Sequence, residues 1–149
     1  MNLKTLQWDT SLLELFGIPR HALATIQPST SHFGYFSDGP LNGGPITGVL
    51  GDQHASLFGH RGHSAGDIKN TYGTGCFLLY NTGKEIIESR HGLLTTMAYQ
   101  MEDQPPSYAL EGSVAVAGTA IEWLRTLGLV DSGAELCIFN SLFACDALR

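Results

Sequence analysis

The sequence predicts a layered fold of the α/β or α+β class, and three observations carry that expectation. Short β-like runs of strand length recur at residues 46–50, 68–72, 76–80 and 93–98. An apolar stripe with helical spacing occupies residues 113–127. Glycine- and proline-bearing polar stretches separate these segments, so strands and helices alternate along the chain. Hydrophobic residues make up 43% of the 149 residues and charged ones 15%, which gives enough apolar surface for one ordinary core and excludes disorder.

The elements follow in chain order. Ser11-Leu12-Leu13-Glu14 reads as a capping box for a short helix, with Asp9 and Thr10 as competing caps. Leu12 and Phe16 share one face, with Leu13 beside them, and Gly17 and Pro19 stop the helix. Residues 27–45, rich in Ser, Thr, Gly and Pro, read as loop or weak strands. Residues 46–50 read as a short buried strand that Gly51-Asp52 ends. A helical segment follows over 53–58, closed by Gly59, and the polar stretch 60–67 marks a domain boundary at 62–66. The runs 68–72 and 76–80 read as strands joined by a tight hairpin turn, Gly73-Thr74-Gly75. Residues 93–98 and 108–110 add two strand candidates. The strongest helix covers 113–127: Val114, Ala117, Ala120, Ile121 and Leu124 form its stripe, and Gly128 closes it.

Charge and cysteine usage exclude several classes. Eight Lys+Arg stand against fourteen Asp+Glu, for a net charge of −6 and no basic run, so nucleic acid is not an expected partner. The sign of the charge does not bear on phosphate ligands, which helix ends, backbone N–H groups and Mg²⁺ can hold. Cys76, Cys137 and Cys145 are odd in number and form no CxxC, which fits neither a disulfide framework nor a zinc site. A reducing compartment is expected. No signal peptide and no run of membrane-spanning length is visible, and the expected location is the cytoplasm.

Asp52 leads the candidates for chemistry. A strand feeding Gly-Asp and then a helix puts the carboxylate at the strand edge where α/β folds gather ligands. There it can take a proton from a substrate hydroxyl as a phosphoryl group arrives. The alternative is a plain N-cap, which spacing alone favours. Gln53 can hydrogen-bond a polyol or be an ordinary helix residue. Gly73-Thr74-Gly75 lets backbone N–H groups and a hydroxyl approach phosphate oxygens, or is a bare turn. No GxxxxGK[ST] and no GxGxxG occurs, so this is not a P-loop protein. Gly118, inside the expected helix, costs roughly 1 kcal/mol against alanine, which points to close packing or to a ligand against the backbone. Glu122 lies one turn further on the same face, the position of a solvated residue or a contact. His54, His60 and His63 match no metal motif and read as surface residues; Trp8 and Trp123 read as packing aromatics.

The linear combination is more specific than any one site. Gly51-Asp52-Gln53-His54-Ala55-Ser56-Leu57-Phe58-Gly59 resembles GDQxAxLFG of the glycerol kinases, and Lys69-Asn70-Thr71-Tyr72-Gly73-Thr74-Gly75-Cys76-Phe77 resembles their KNTYGTGCF. Gly92-Leu93-Leu94-Thr95-Thr96, Tyr108-Ala109-Leu110-Glu111-Gly112-Ser113, Ala117-Gly118 and Trp123-Leu124-Arg125 follow in the same order. Upstream, Leu6-Gln7-Trp8-Asp9 and Phe16-Gly17-Ile18-Pro19 are similar too. The resemblance is to FGGY carbohydrate kinases of the glycerol kinase type and covers residues 1 to 132.

That resemblance implies an actin-like ATPase fold, with two RNase H-like domains facing a cleft. Residues 1–61 are expected to end the first domain, 62–66 to join, 67–132 to begin the second, and 133–149 to diverge from the family. It implies ATP-dependent phosphorylation of glycerol, or of another polyol or sugar, with ATP and Mg²⁺. By the same resemblance Asp52 is the general base, Asp52 and Gln53 contact glycerol, and Gly73, Thr74, Gly118 and Glu122 contact ATP. Glu122 stands where the family usually has a glutamine, replacing an amide with an acceptor-only carboxylate. The family's phosphate-binding hairpin and its Arg-Glu pair for glycerol are expected before Met1, and its adenosine-binding segment after Arg149. Phosphoryl transfer needs such groups together, so the 149 residues alone are expected to show little turnover or to be a non-catalytic product. The parent enzyme is expected to be a homo-oligomer.

Overall fold

The computed structural model describes residues 1–131. The expected divergent segment 133–149, with Cys137 and Cys145, lies outside the described residues. Helix α1 spans Thr10–Phe16. Asp9 caps it, accepting the Leu12 N–H at 3.2 Å, so of the competing caps the carboxylate before Ser11 holds the position. Gly17, at φ 64°, ends it in the left-handed conformation that glycine adopts without strain. A 3₁₀ turn follows at Arg20–Ala22.

The polar stretch forms two weak strands. β1 (Gly34–Tyr35) pairs antiparallel with β2 (Pro45–Ile46). The expected buried strand at 46–50 does not form beyond Ile46. Residues 47–50 lack regular structure, Val49 is exposed, and its N–H goes to the Ser29 carbonyl at 2.9 Å. A short apolar run needs a neighbouring strand, and β2 finds one for only two residues. Asp52 therefore follows an irregular segment and not a strand end.

Helix α2 spans Asp52–Gly59. β3 (Ile68–Tyr72), β4 (Cys76–Gly83), β5 (Leu94–Tyr99) and β6 (Ser107–Val114) form a four-stranded sheet in the order β3-β4-β6-β5. β5 and β6 are antiparallel, with Leu94 opposite Glu111 and Met97 opposite Tyr108, and an irregularity follows between Met97 and Tyr99. Helix α3 spans Gly118–Thr126. The helix expected to begin at residue 113 thus starts five residues later, because Ser113 and Val114 continue strand β6. Gly118 opens the helix instead of lying within it. Gly128 ends the region at φ 69°.

Two compact units emerge from the contacts. Among the described residues, the first comprises Met1–Lys69 with Leu78–Gly112, the second Asn70–Phe77 with residues 113–131. The core of the first is Leu57, Leu79, Ala98, Tyr99 and Ala109, with Leu50, Phe58 and Met101 against it. Leu57 and Leu79 are fully buried, each worth roughly 1.5–3 kcal/mol relative to exposure. Asn81, also fully buried, donates to the Gly62 carbonyl and accepts the Gly83 N–H, both at 2.8 Å. The irregular N-terminal region is held by bonds distant in sequence. Trp8 Nε1 donates to Ala24 at 2.8 Å, Tyr108 Oη to Leu3 at 2.9 Å, and Ser29 exchanges bonds with Gln100.

Candidate functional site

In the first unit the candidate chemistry opens helix α2. Leu57 fixes that helix on the sheet, and Phe58 meets Tyr99 edge to face at 5.2 Å. The N-cap is Gly51 and makes no side-chain bond. Asp52 is the first helical residue, exposed, with Oδ1 accepting the Gln53 N–H at 2.8 Å. It occupies the first turn, where a carboxylate suits the helix dipole, without being the cap that spacing alone favoured. Gln53 is half-buried, and its Oε1 accepts from Lys69 Nζ at 3.3 Å.

The histidines divide. His60 and His63 are exposed, as expected, and His63 also meets Phe58 edge to face at 4.7 Å. His54 is half-buried, with Nε2 buried and unpartnered. It borders a depression of about 530 Å³ with Val49, Leu50, Gly51, Thr96 and Tyr99. Among the described residues no group of His, Cys, Asp and Glu is arranged to hold a metal ion.

In the second unit the candidate is made of backbone. Gly73-Thr74-Gly75 links β3 and β4, and the Gly73 N–H donates to the Gly75 carbonyl at 2.8 Å. The Thr74 carbonyl accepts the Ala117 N–H at 2.9 Å and the Gly73 carbonyl accepts the Gly118 N–H at 3.0 Å. The first N–H groups of a helix lack intrahelical partners. Here the turn supplies them, while Ala117 offers no capping side chain. This fit explains the glycines. A Cβ on Gly118 would collide with the Gly73 carbonyl oxygen, and one on Gly75 would lie 2.8 Å from the Val114 carbonyl oxygen. Of the two causes the sequence left open at Gly118, close backbone packing is present.

Glu122 and Arg125 are more than half exposed and form a bidentate pair, with Nη2 to Oε1 at 2.6 Å and Nε to Oε2 at 3.1 Å. The hydrogen bonds from Glu122, then its charge, push the Arg125 guanidinium further above its ordinary value. Trp123 is 59% exposed and, within the described residues, is not the packing aromatic the sequence led one to expect. Cys76 is a free thiol whose Sγ lies 3.0 Å from Asn70 Oδ1.

Residues 68–147 match the FGGY family of carbohydrate kinases, C-terminal domain. This chain belongs to that family. The match reaches into the segment expected to diverge after residue 132. Curated relatives include glycerol kinase 1 of Streptomyces coelicolor, 56% identical over 141 residues, and the glycerol kinase of Renibacterium salmoninarum, 50% identical over 138. Each alignment covers 91% of this chain but only 28% and 27% of those relatives. The crystal structure of Plasmodium falciparum glycerol kinase with ADP superposes with a TM-score of 0.83 at 38% identity, over 91% of this chain and 28% of that one. The fold is accordingly part of an actin-like ATPase fold, as the motif order implied. Sequence reasoning quoted Lys69 only within the segment 69–77 and gave it no role. No helix among the described residues is long and apolar enough to cross a membrane.

Proposed function

We propose that this chain contributes the general base and part of the ATP-phosphate site to ATP-dependent phosphorylation of glycerol, giving sn-glycerol 3-phosphate and ADP. The observation that carries the reading is exposed Asp52 beside half-buried Gln53 at the opening of a helix anchored by Leu57, in a family whose relatives at 50–56% identity are glycerol kinases. Asp52 takes the proton of the glycerol hydroxyl. The oxygen then forms its bond to the γ-phosphorus as the bond to the β–γ bridging oxygen breaks, and ADP leaves with that electron pair. Gln53 binds the polyol. Thr74 meets the phosphates through its exposed hydroxyl, and Gly73, whose N–H is engaged within the turn, lets them approach a backbone without a Cβ. Gly118 lets the nucleotide approach the backbone, and Glu122, paired to Arg125, offers the nucleotide an acceptor only. Mg²⁺ arrives with ATP as part of the substrate.

On this reading residues 1–61 end the first kinase domain, 62–66 join, and 67–132 begin the second, in a cytoplasmic homo-oligomeric parent. The test replaces the matching segment of a full-length glycerol kinase with residues 1–131 and follows glycerol-dependent ADP release. Turnover within about tenfold of the parent, abolished by Asp52→Asn, is expected. A folded chimera in which Asp52→Asn keeps full turnover would sink the assignment.

A further inference from the structure

Resting on the reading of Thr74 and Glu122 as nucleotide contacts, we propose that Arg125 is a positioning residue. It holds and neutralises the Glu122 carboxylate, so that α3 adds no net negative charge beside the phosphates at the 73–75 turn.

The turn brings no cation of its own. Within the second unit, residues 70–77 carry no charged side chain, and over residues 113–131 the charged ones are Glu122, Arg125 and Asp131. On α3 itself only Glu122 and Arg125 are charged. Without Arg125, the one charge that α3 sets before a polyanion would be a repelling one.

The helix is seated on the turn, which fixes how far that charge stands from it. Besides the bonds from Ala117 and Gly118, the Thr119 N–H and the Thr119 hydroxyl both donate to the Thr74 carbonyl, each at 3.4 Å. Glu122 follows Gly118 by one helical turn, about 6 Å along the axis and on the same face. Side chains on a helix lean toward its N-terminus, so Glu122 leans back toward the turn.

Arg125 closes on the carboxylate from the next turn. Its Nη2 lies 2.6 Å from Oε1 and its Nε 3.1 Å from Oε2, so each oxygen has a guanidinium donor. An exposed pair of this kind adds little to stability. What it supplies is neutrality toward an anionic ligand.

The test follows the backbone amide signals of Gly73, Thr74 and Gly75 in the ¹⁵N-labelled 149-residue chain as Mg·ATP is added at low ionic strength. Wild-type signals are expected to move. Arg125→Ala is expected to weaken Mg·ATP about fivefold, a loss that fades as salt is raised to ~0.5 M. Arg125→Lys keeps the charge and stays within about twofold of the wild type. Arg125→Ala in a Glu122→Gln background also returns to within about twofold, because the helix is again neutral. Glu122→Gln alone leaves the guanidinium uncompensated and binds about fivefold tighter, which holds the test open if Arg125→Ala fails to fold. Wild-type signals that move, together with equal binding by Arg125→Ala or by Glu122→Gln, overturn this role and leave the reading of the turn standing. So does a loss in Arg125→Ala that persists in the Glu122→Gln background, which would make Arg125 a direct phosphate contact. Wild-type signals that Mg·ATP never moves overturn the phosphate reading of the turn, and this role with it.

Discussion

The opening of α2 and the Gly73-Thr74-Gly75 turn are built by opposite means. At α2 the chemistry sits on side chains, Asp52 and Gln53, carried by a helix whose only fully buried anchor is Leu57. At the turn the groups in contact are backbone, with carbonyls of 73 and 74 meeting the first N–H groups of α3 and glycines required where a Cβ has no room. The first region therefore tolerates a change of chemistry without a change of fold. The second does not tolerate even a methyl group.

Substitutions can break that contrast. The largest effect is expected from Asp52→Asn, which should lower turnover in the full-length chimera about 10²–10⁴-fold, the contribution of a general base. The exposed carboxylate should leave the melting temperature of the chain nearly unchanged. A large drop in melting would place Asp52 among the structural groups instead. Gly118→Ala should do the reverse and destabilise the second unit by about 1–3 kcal/mol through overpacking, read by urea unfolding of Trp123 fluorescence in a Trp8→Phe background. An unchanged midpoint would show that the backbone approach is not tight.

Asn81→Ala tests whether the first unit has an intolerant spot of its own. Leaving the Gly62 carbonyl and the Gly83 N–H without the Asn81 amide should cost about 1–3 kcal/mol. Thr74→Ala sharpens the backbone argument: α3 is served by the carbonyl and not the hydroxyl, so chemical denaturation should shift by no more than about 0.5 kcal/mol.

The smallest effect concerns the cap of α1. The Leu12 N–H first, and the Asn2 amide second, hold the Asp9 carboxyl below its ordinary value of 3.8. Between the two values the unfolded chain binds more protons than the folded one, so stability rises with pH. The contribution is present above the ordinary carboxylate range and lost as pH falls through the lower folded value. Melting followed from about pH 5 to about pH 2 should show a dependence that Asp9→Asn reduces.

Much of this was legible beforehand, and the exceptions share a cause. The strand at 68–72 coincides with β3, and α2 exceeds its expected 53–58 by one residue at each end, because alternation, caps and glycine stops are local signals. The strand at 46–50 and the helix start at 113 were misread because each was decided by pairing. Ile46 found a partner for one step, while Ser113 and Val114 were claimed by a sheet whose other strands lie far off in sequence. The Lys69–Gln53 contact joins residues sixteen apart and left no local mark in the sequence.

By itself the sequence determined the family, through ordered motifs, and most element types, through propensities that act within a few residues. Only the tertiary structure decided which carbonyls cap α3, why Gly118 and Gly75 must lack a Cβ, and which end of Gln53 faces a cation. Those outcomes depend on backbone segments approaching to within a hydrogen bond across more than a dozen residues, and no local pattern encodes such an approach.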